Sequence, residues 1–391
     1  MSRSAWLAIS VSLLWVLEMH NGWLRTCRLY VKENLHKAMG LASGIGILVM
    51  LTFIMLFHLK ADSVRGRLFI WKNTYTAMIE KPLTGYGPGS FHMVYGKAQA
   101  AYFAADDGTA EERRVAGFAE YAFNDYLQSC VEGGCVLLLL ILLFGIVVFR
   151  KGLAYKQYGF CGALFSLSVF ALSSYPLQVL SFGIAFIVFS AVCVSLEEQE
   201  MQIWKRRNLL AVTLSCLLCI GAVFGVSRLY GLNELGERWN NANLLYSYNA
   251  CNTASEIYES LYSKLNYHPT FLKSYAGSLY SEGKYLEACK VLERAKLVSC
   301  DSNIWNLQGR YYQMAGCYLL AEQTFLESLL LTPERIYPYY LLAKLYREPK
   351  FWNEKKARQM AIIVMTKSPK VYSKAIDEMR KEMSLLLSGY K

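Results

Sequence analysis

Histidine is scarce, at five of 391 residues, and none of the five has a context diagnostic of a Ser-His-Asp or Cys-His nucleophile. Asp106-Asp107 falls in a polar stretch without a histidine or cysteine partner, so it reads as solvated loop. No motif calls for a metal or for another cofactor. No glycine-rich segment ends in Gly-Lys-Ser/Thr, which excludes a P-loop nucleotide site. The formal net charge of +11 is dispersed and accompanies no nucleic-acid motif, so nucleic acid is not an expected partner. A cleavable signal peptide is also missing. Residues 4–17 are apolar but lack a basic leading region and a small-residue cleavage site, and they read as a retained span.

Charge is nearly absent from six stretches, at about 4–20, 39–59, 134–149, 158–174, 177–196 and 209–227. A helix crosses the hydrocarbon core with roughly 20 residues, because each residue rises about 1.5 Å. One such stretch alone is as readable as a buried soluble helix, and 158–174 is the shortest. Six of them clustered ahead of a polar remainder predict a bundle of about six spans. Arg25, Arg28, Lys32 and Lys37, then Arg150, Lys151 and Lys156, then Lys205, Arg206 and Arg207 occupy three short connections, while Ser173-Ser174-Tyr175-Pro176 carries no charge. Short basic loops stay on the cytoplasmic side. That alternation predicts that the 59–133 loop and everything after residue 228 lie outside.

The cysteines divide along the same line. Cys135, Cys161, Cys193, Cys216 and Cys219 fall in spans, where cysteine behaves as a small apolar residue. Cys251, Cys289, Cys300 and Cys317 fall in the outer part, where disulfides can form, but no spacing selects a pair.

After about residue 230 the chain becomes polar, helical in pattern and rich in Tyr, Leu and Ala. Ala254, Ala288, Ala321 and Ala357 recur at intervals of 34, 33 and 36. Four residues after each stands Tyr258, Leu292, Phe325 or Ala361, and twelve after each a turn residue, Asn266, Cys300, Pro333 or Pro369. Trp305, Gly309 and Tyr312 complete the third unit. The period and pattern resemble tetratricopeptide repeats. Such units stack into a curved solenoid whose concave face usually takes a protein or peptide, so a protein partner is expected there. An irregular helical bundle is the alternative.

The 59–133 loop holds the motifs. Arg67 and Trp71 are four apart, so a helix through 66–80 puts them on one face. Gly85, Gly87 and Gly89, with Pro82 and Pro88, form a turn whose glycines admit positive φ and close backbone approach to a ligand. Phe91, His92, Asn124-Asp-Tyr-Leu-Gln128 and Glu132-Gly133-Gly134 follow, and Ser2-Arg3 opens the first apolar stretch. In this order the motifs resemble the core of the O-antigen ligase and polymerase family, over about residues 2–196. The resemblance implies metal-free transfer of a glycan from a polyprenyl-pyrophosphate donor to an acceptor hydroxyl, on a lipid or on a glycan, outside a bacterial inner membrane. Membrane lipids and that donor are then the partners. Arg3 and Arg67 match the family's two outer-face arginine positions. A guanidinium suits the task because its planar fork holds two phosphate oxygens and neutralises charge as pyrophosphate departs. Arg65, Arg113 and Arg114 are equally readable as solvated or headgroup-facing.

One departure matters. Where the family usually has a histidine before the asparagine, this chain has Phe123, which can neither accept a proton nor bind phosphate. Glu120, about one helical turn before Asn124, and His92 on the glycine turn are the nearby polar substitutes. A carboxylate serves as base when partly desolvated; Glu120 is also readable as a surface charge and His92 as a loop histidine.

The expected protein is therefore all-α: a polytopic transmembrane domain over 1–232 with a large periplasmic loop at 59–133, then a periplasmic tetratricopeptide-like α-solenoid over 233–391. Arg67, Arg3 and Glu120 are its expected catalytic residues. Trp71, Gly85, Gly87, Gly89, His92 and Asn124 are expected to bind substrate. Met1 directly before Ser2-Arg3, where the family's conserved region begins, leads us to expect an N-terminally incomplete chain. A membrane-anchored, non-catalytic repeat scaffold is the rival reading, and ligase and polymerase remain undivided.

Overall fold

The computed structural model describes residues 3–22, 61–195, 208–369 and 371–388, and among them every regular element is helical. Two compact units result, one from Met1–Tyr95 with Ala119–Arg206 and one from Gly96–Phe118 with Arg207–Lys391. Part of the 59–133 loop groups with the C-terminal residues.

In the first unit, α1 (Arg3–Asn21) packs on α6 (Tyr158–Ala171), and α5 (Asp125–Ala154) packs on α2 (Ala61–Glu80), α6 and α7 (Leu180–Val194). Small residues allow these approaches. A side chain on Gly162 would meet Val16 of α1 at 2.2 Å, and one on Gly152 would meet the Cys161 sulfur at 2.4 Å. Val148, Cys161, Leu164 and Cys193 form the buried centre, with Trp15, Phe149 and Phe186 around it. On the opposite side of α5, Val136, Leu139, Leu140, Leu143 and Val147 are exposed. An exposed apolar stripe of that length is stable against hydrocarbon and costly against water.

Among the described residues, two helices are long and apolar enough to cross a bilayer: α5, of 30 residues, and the Ser215–Ser247 part of α8 (Asn208–Ser247). The whole helices α5 and α8 contain the 134–149 and 209–227 stretches. The helices α6 and α7, of 14 and 15 residues, rise about 21–23 Å and fall short of a roughly 30 Å hydrocarbon core. The stretch 4–20 lies within the 19-residue α1. The stretch 39–59, and the basic connections within 23–60 and 196–207, lie outside the described residues.

The second unit includes the six-residue α4 (Ala110–Val115), closed by a capping box in which Thr109 and Glu112 exchange bonds. From α8 onward, helices follow one another closely: α9 (Cys251–Leu265), α10 (Pro269–Ser281), α11 (Tyr285–Val298), α12 (Ser302–Met314), α13 (Tyr318–Leu331), α14 (Ile336–Leu345), α15 (Glu354–Thr366) and α16 (Lys374–Ser388). Each packs on the next in chain order. Ala254, Ala288, Ala321 and Ala357, with Tyr258, Leu292, Phe325 and Ala361, are all fully buried between them. Gly96 and Gln99 tie the Gly96–Phe118 segment to this unit. Gly96 lies so near Cys300 that a Cβ would stand 2.2 Å from the cysteine Cβ, and Gln99 Nε2 donates to the Leu331 carbonyl at 2.6 Å. No disulfide forms among the described cysteines, and burial pushes the Cys300 thiol up to about 11.

Ala321→Leu should test the small-residue slots. Forcing extra carbons into a filled core costs about 1–3 kcal/mol. The expected readout is a lower thermal midpoint of the helical circular dichroism of the full chain in detergent. Leu319→Ala, at a position 72% exposed on the same helix, should stay within about 0.5 kcal/mol. Equal effects from the two would remove the packing argument.

Candidate functional site

The helix α2 holds both residues that the four-residue spacing puts on one face. Arg67 Nη1 donates to the Ser173 carbonyl at 2.6 Å, and Trp71 Nε1 donates to the Ala122 carbonyl at 2.9 Å. The guanidinium also stands 5.2 Å from the centre of the Phe123 ring. A cation over an aromatic face is attracted by the ring quadrupole. Phe123 therefore positions Arg67, although it brings no proton chemistry. Its backbone has φ 53, a left-handed conformation uncommon for a bulky residue. Tyr175 completes the aromatic wall, stacked on Tyr121 at 4.5 Å and edge-on to Phe123 at 5.3 Å.

Asn124 is the N-cap of α5. Its side-chain oxygen accepts from Tyr126 N at 3.0 Å and from Leu127 N at 3.1 Å. The asparagine of the motif thus has a local structural task, satisfying the first free amides of a helix. Next to it, Asp125 is buried at 3% exposure. Its Oδ2 accepts from Leu177 N at 3.0 Å, while its Oδ1 has no hydrogen-bond partner among the described residues. The short connection from Ser173 to Leu177 is thereby held at one end by Arg67 and at the other by Asp125.

The glycine turn docks on a kink in α5. Tyr86 N donates to the Val131 carbonyl at 2.9 Å, Gly87 N to the Glu132 carbonyl at 2.8 Å, and Cys135 N to the Pro82 carbonyl at 2.8 Å. The kink is at Gly134, with φ 69. At Gly85 and Gly134 a side chain would run into backbone, because a Cβ would meet the Val131 carbonyl oxygen at 2.6 Å and the Leu83 carbonyl oxygen at 2.0 Å respectively. Gly87 and Gly89 also have positive φ, but nothing lies within 4 Å of where their Cβ would be. Close approach at Gly85 is thus to the chain's own backbone, and open space for a ligand is at Gly87 and Gly89. Gln128 adds to the joint by accepting from Ala122 N and donating to Glu132. Tyr86 donates to Glu80 at 2.7 Å, and burial together with that carboxylate pushes its hydroxyl up to about 12.

The remaining candidates differ in their surroundings. Glu120 is exposed and bonds Tyr121, whose hydroxyl is raised first by burial and then by that carboxylate. His92 is half-buried in the first turn of α3 (Phe91–Ala104). Arg3 is the first residue of α1, and its side chain lies outside the described residues. Arg113 is committed elsewhere, paired with Asp106 at 2.5 Å and bonded to the Gly108 carbonyl.

Beside Asp125, a cavity of about 510 Å³ runs along α5. Asp125, Tyr126, Ser129 and Ser168 give it one polar end, and Trp15, Phe149, Phe165 and Phe186 line the apolar remainder. Ligand pockets commonly have that volume and that ratio of apolar wall to few polar groups. Asp125, Tyr175 and the Ser173–Leu177 connection escape selection from the sequence. The one available signal is a carboxylate in the first turn of a helix that is uncharged from 133 to 149.

Comparison with known proteins bears on this region. The family model for O-antigen ligase matches residues 1–143, which contain Arg67, the glycine turn, Phe123 to Gln128 and the Gly134 kink. The match supports the O-antigen ligase family and, in general terms, an O-antigen ligase-like function at a membrane in polysaccharide biosynthesis. No curated relative matches the chain.

Proposed function

We propose that this chain acts in glycosyl transfer at the outer face of a bacterial inner membrane, from a polyprenyl-pyrophosphate-linked glycan to an acceptor hydroxyl on a lipid A core, a growing polysaccharide or another acceptor. The observation that carries the reading is the half-buried Arg67, poised against Phe123 and bonded to a neutral carbonyl. A fork-to-phosphate pair joins opposite charges, whereas a carbonyl offers a guanidinium only a dipole. As the glycosidic bond breaks, negative charge grows on the leaving phosphate, and a fixed guanidinium stabilises that state more than the ground state. The apolar cavity along α5 suits the donor's lipid chain. The residues after 230 act as a periplasmic tetratricopeptide-like array with a protein partner. The four buried alanines and their aromatic or aliphatic followers support that part.

The test is complementation. Expressed in a bacterial strain lacking its own ligase, the chain should restore surface glycan. Failure despite normal protein levels, with the matching donor present in the membrane, would remove the enzymatic reading. Two observations favour the scaffold alternative: Phe123 stands where a histidine is expected, and the Asn124 amide oxygen is used in a helix cap. A scaffold would leave glycan unchanged and still retain a protein on the repeat region.

Topology is tested separately. A reporter active only outside the cytoplasm should be active when fused after residue 100 or 240, and silent after residue 155. The basic residues Arg150, Lys151 and Lys156 set the last of these. A cytoplasmic signal from the residue 240 fusion would remove the periplasmic repeat region from the proposal.

A further inference from the structure

Asp125 is a carboxylate for which the fold has found only half a partner set. An ionised carboxylate offers about four acceptor sites. Leu177 N takes one on Oδ2, and the Gln178 side chain interacts with the group, but Oδ1 is buried with no hydrogen bond among the described residues. Leaving such an oxygen buried and unmatched costs free energy, and groups of this kind in native proteins call for an explanation. Packing alone does not supply one, because asparagine has the same shape and would keep the Leu177 bond without the buried charge. Nor does helix capping, which Asn124 already performs. The same side chain lines the polar end of the 510 Å³ cavity. It belongs, through Leu177, to the connection that Arg67 grips at Ser173. Glu120, the other carboxylate among the candidates, is exposed and is not among the residues that line that cavity.

Resting on the glycosyl-transfer reading above, we propose that Asp125 is the proton acceptor of the reaction, in the role that a histidine at position 123 would otherwise fill. The acceptor hydroxyl donates to Oδ1. Its O–H bond breaks and the proton passes to Asp125. The oxygen electron pair forms the new bond to the anomeric carbon, and the old anomeric C–O bond breaks with its pair leaving on polyprenyl pyrophosphate. The carboxyl group then returns its proton to solvent. An acceptor here must present a hydroxyl, or another neutral donor group, at the polar end of an apolar cavity. A second anionic group is disfavoured beside the carboxylate.

Asp125→Asn is the decisive substitution, because the amide oxygen still accepts from Leu177 N while the proton acceptor is gone. Membranes holding the full chain would be given radiolabelled polyprenyl-linked glycan extracted from the same cells, with glycan release and donor retention on filters measured in parallel. Positioned general bases contribute about 10²–10⁴-fold. The expected result is turnover lowered by at least about 10²-fold with donor retention unchanged, and partial recovery in Asp125→Glu. Wild-type turnover in Asp125→Asn, with the native chain active, would overturn the assignment and leave the glycosyl-transfer reading standing. Loss of donor retention together with turnover would also overturn it, since the charge would then serve the fold. No release by the native chain, and no effect of Arg67→Ala on donor retention, would remove the reading itself and this assignment with it.

Discussion

Arg67→Ala should lower glycan transfer by about 10²–10³-fold, the usual cost of removing one preorganised electrostatic contact to developing charge. Arg67→Lys should rescue it poorly. Lysine keeps the positive charge, yet it presents a compact ammonium in place of a planar fork. It also cannot lie over the Phe123 ring and reach the Ser173 carbonyl with the same geometry, and Arg67 does both at 5.2 Å and 2.6 Å. Arg113→Ala is the comparison. That guanidinium is already neutralised by Asp106 and tied to the Gly108 carbonyl, so its removal should change transfer little. The measurement is surface glycan in a strain lacking its own ligase, with protein levels matched across variants. Normal glycan from the Arg67→Ala protein would end the role assigned to that residue.

Gly134→Ala should be the most damaging single-methyl change in the first unit. The new Cβ would stand 2.0 Å from the Leu83 carbonyl oxygen and 2.2 Å from its carbon, contacts that no rotamer change relieves because both partners are backbone. The φ of 69 adds a further cost of about 1–3 kcal/mol for a residue other than glycine. Relief requires the Pro82–Gly87 turn to lift from α5, breaking the bonds of Tyr86, Gly87 and Cys135 to that joint. The expected outcome is faster proteolysis at the turn, a lower thermal midpoint in detergent and loss of transfer. Gly145→Ala makes the contrast, because it lies in the same helix with nothing within 4 Å of the added carbon. Alanine is also the better helix former. A Gly134→Ala protein as stable and protease-resistant as Gly145→Ala would refute the docked turn.

Part of this geometry is legible in the sequence and part is not. The helix through Arg67 and Trp71 was legible, since a spacing of four on an α-helix defines a face whatever surrounds it. What the two side chains touch was not. Ser173 is 106 residues from Arg67, and Ala122 is 51 from Trp71. The glycine turn was legible as a place of positive φ, and Gly85, Gly87 and Gly89 do have φ of 64, 101 and 70. Its purpose reads differently in three dimensions, because Gly85 is needed for the backbone of residues 131 and 132. The order Glu132-Gly133-Gly134 looked like one more motif until the kink at Gly134 made it the other half of that joint. Asn124 looked like a ligand-binding amide, and α5 uses its oxygen as a cap.

The sequence by itself determined that this is a helical protein with long charge-free segments and a polar, periodic C-terminal part, because hydrophobic length and period are local properties. It determined too that an O-antigen ligase-like set of motifs runs through the first third of the chain, since order and spacing survive in one dimension. Only the tertiary structure decided which of those residues are mutually supporting. It joined Gly96–Phe118 to the residues after 207, turned Phe123 from a missing histidine into a platform for Arg67, and left one oxygen of Asp125 without a partner beside a cavity. The physical reason is that hydrogen-bond satisfaction and desolvation are sums over neighbours brought together by packing. No window of sequence contains Asp125, Leu177, Arg67 and Ser173 at once.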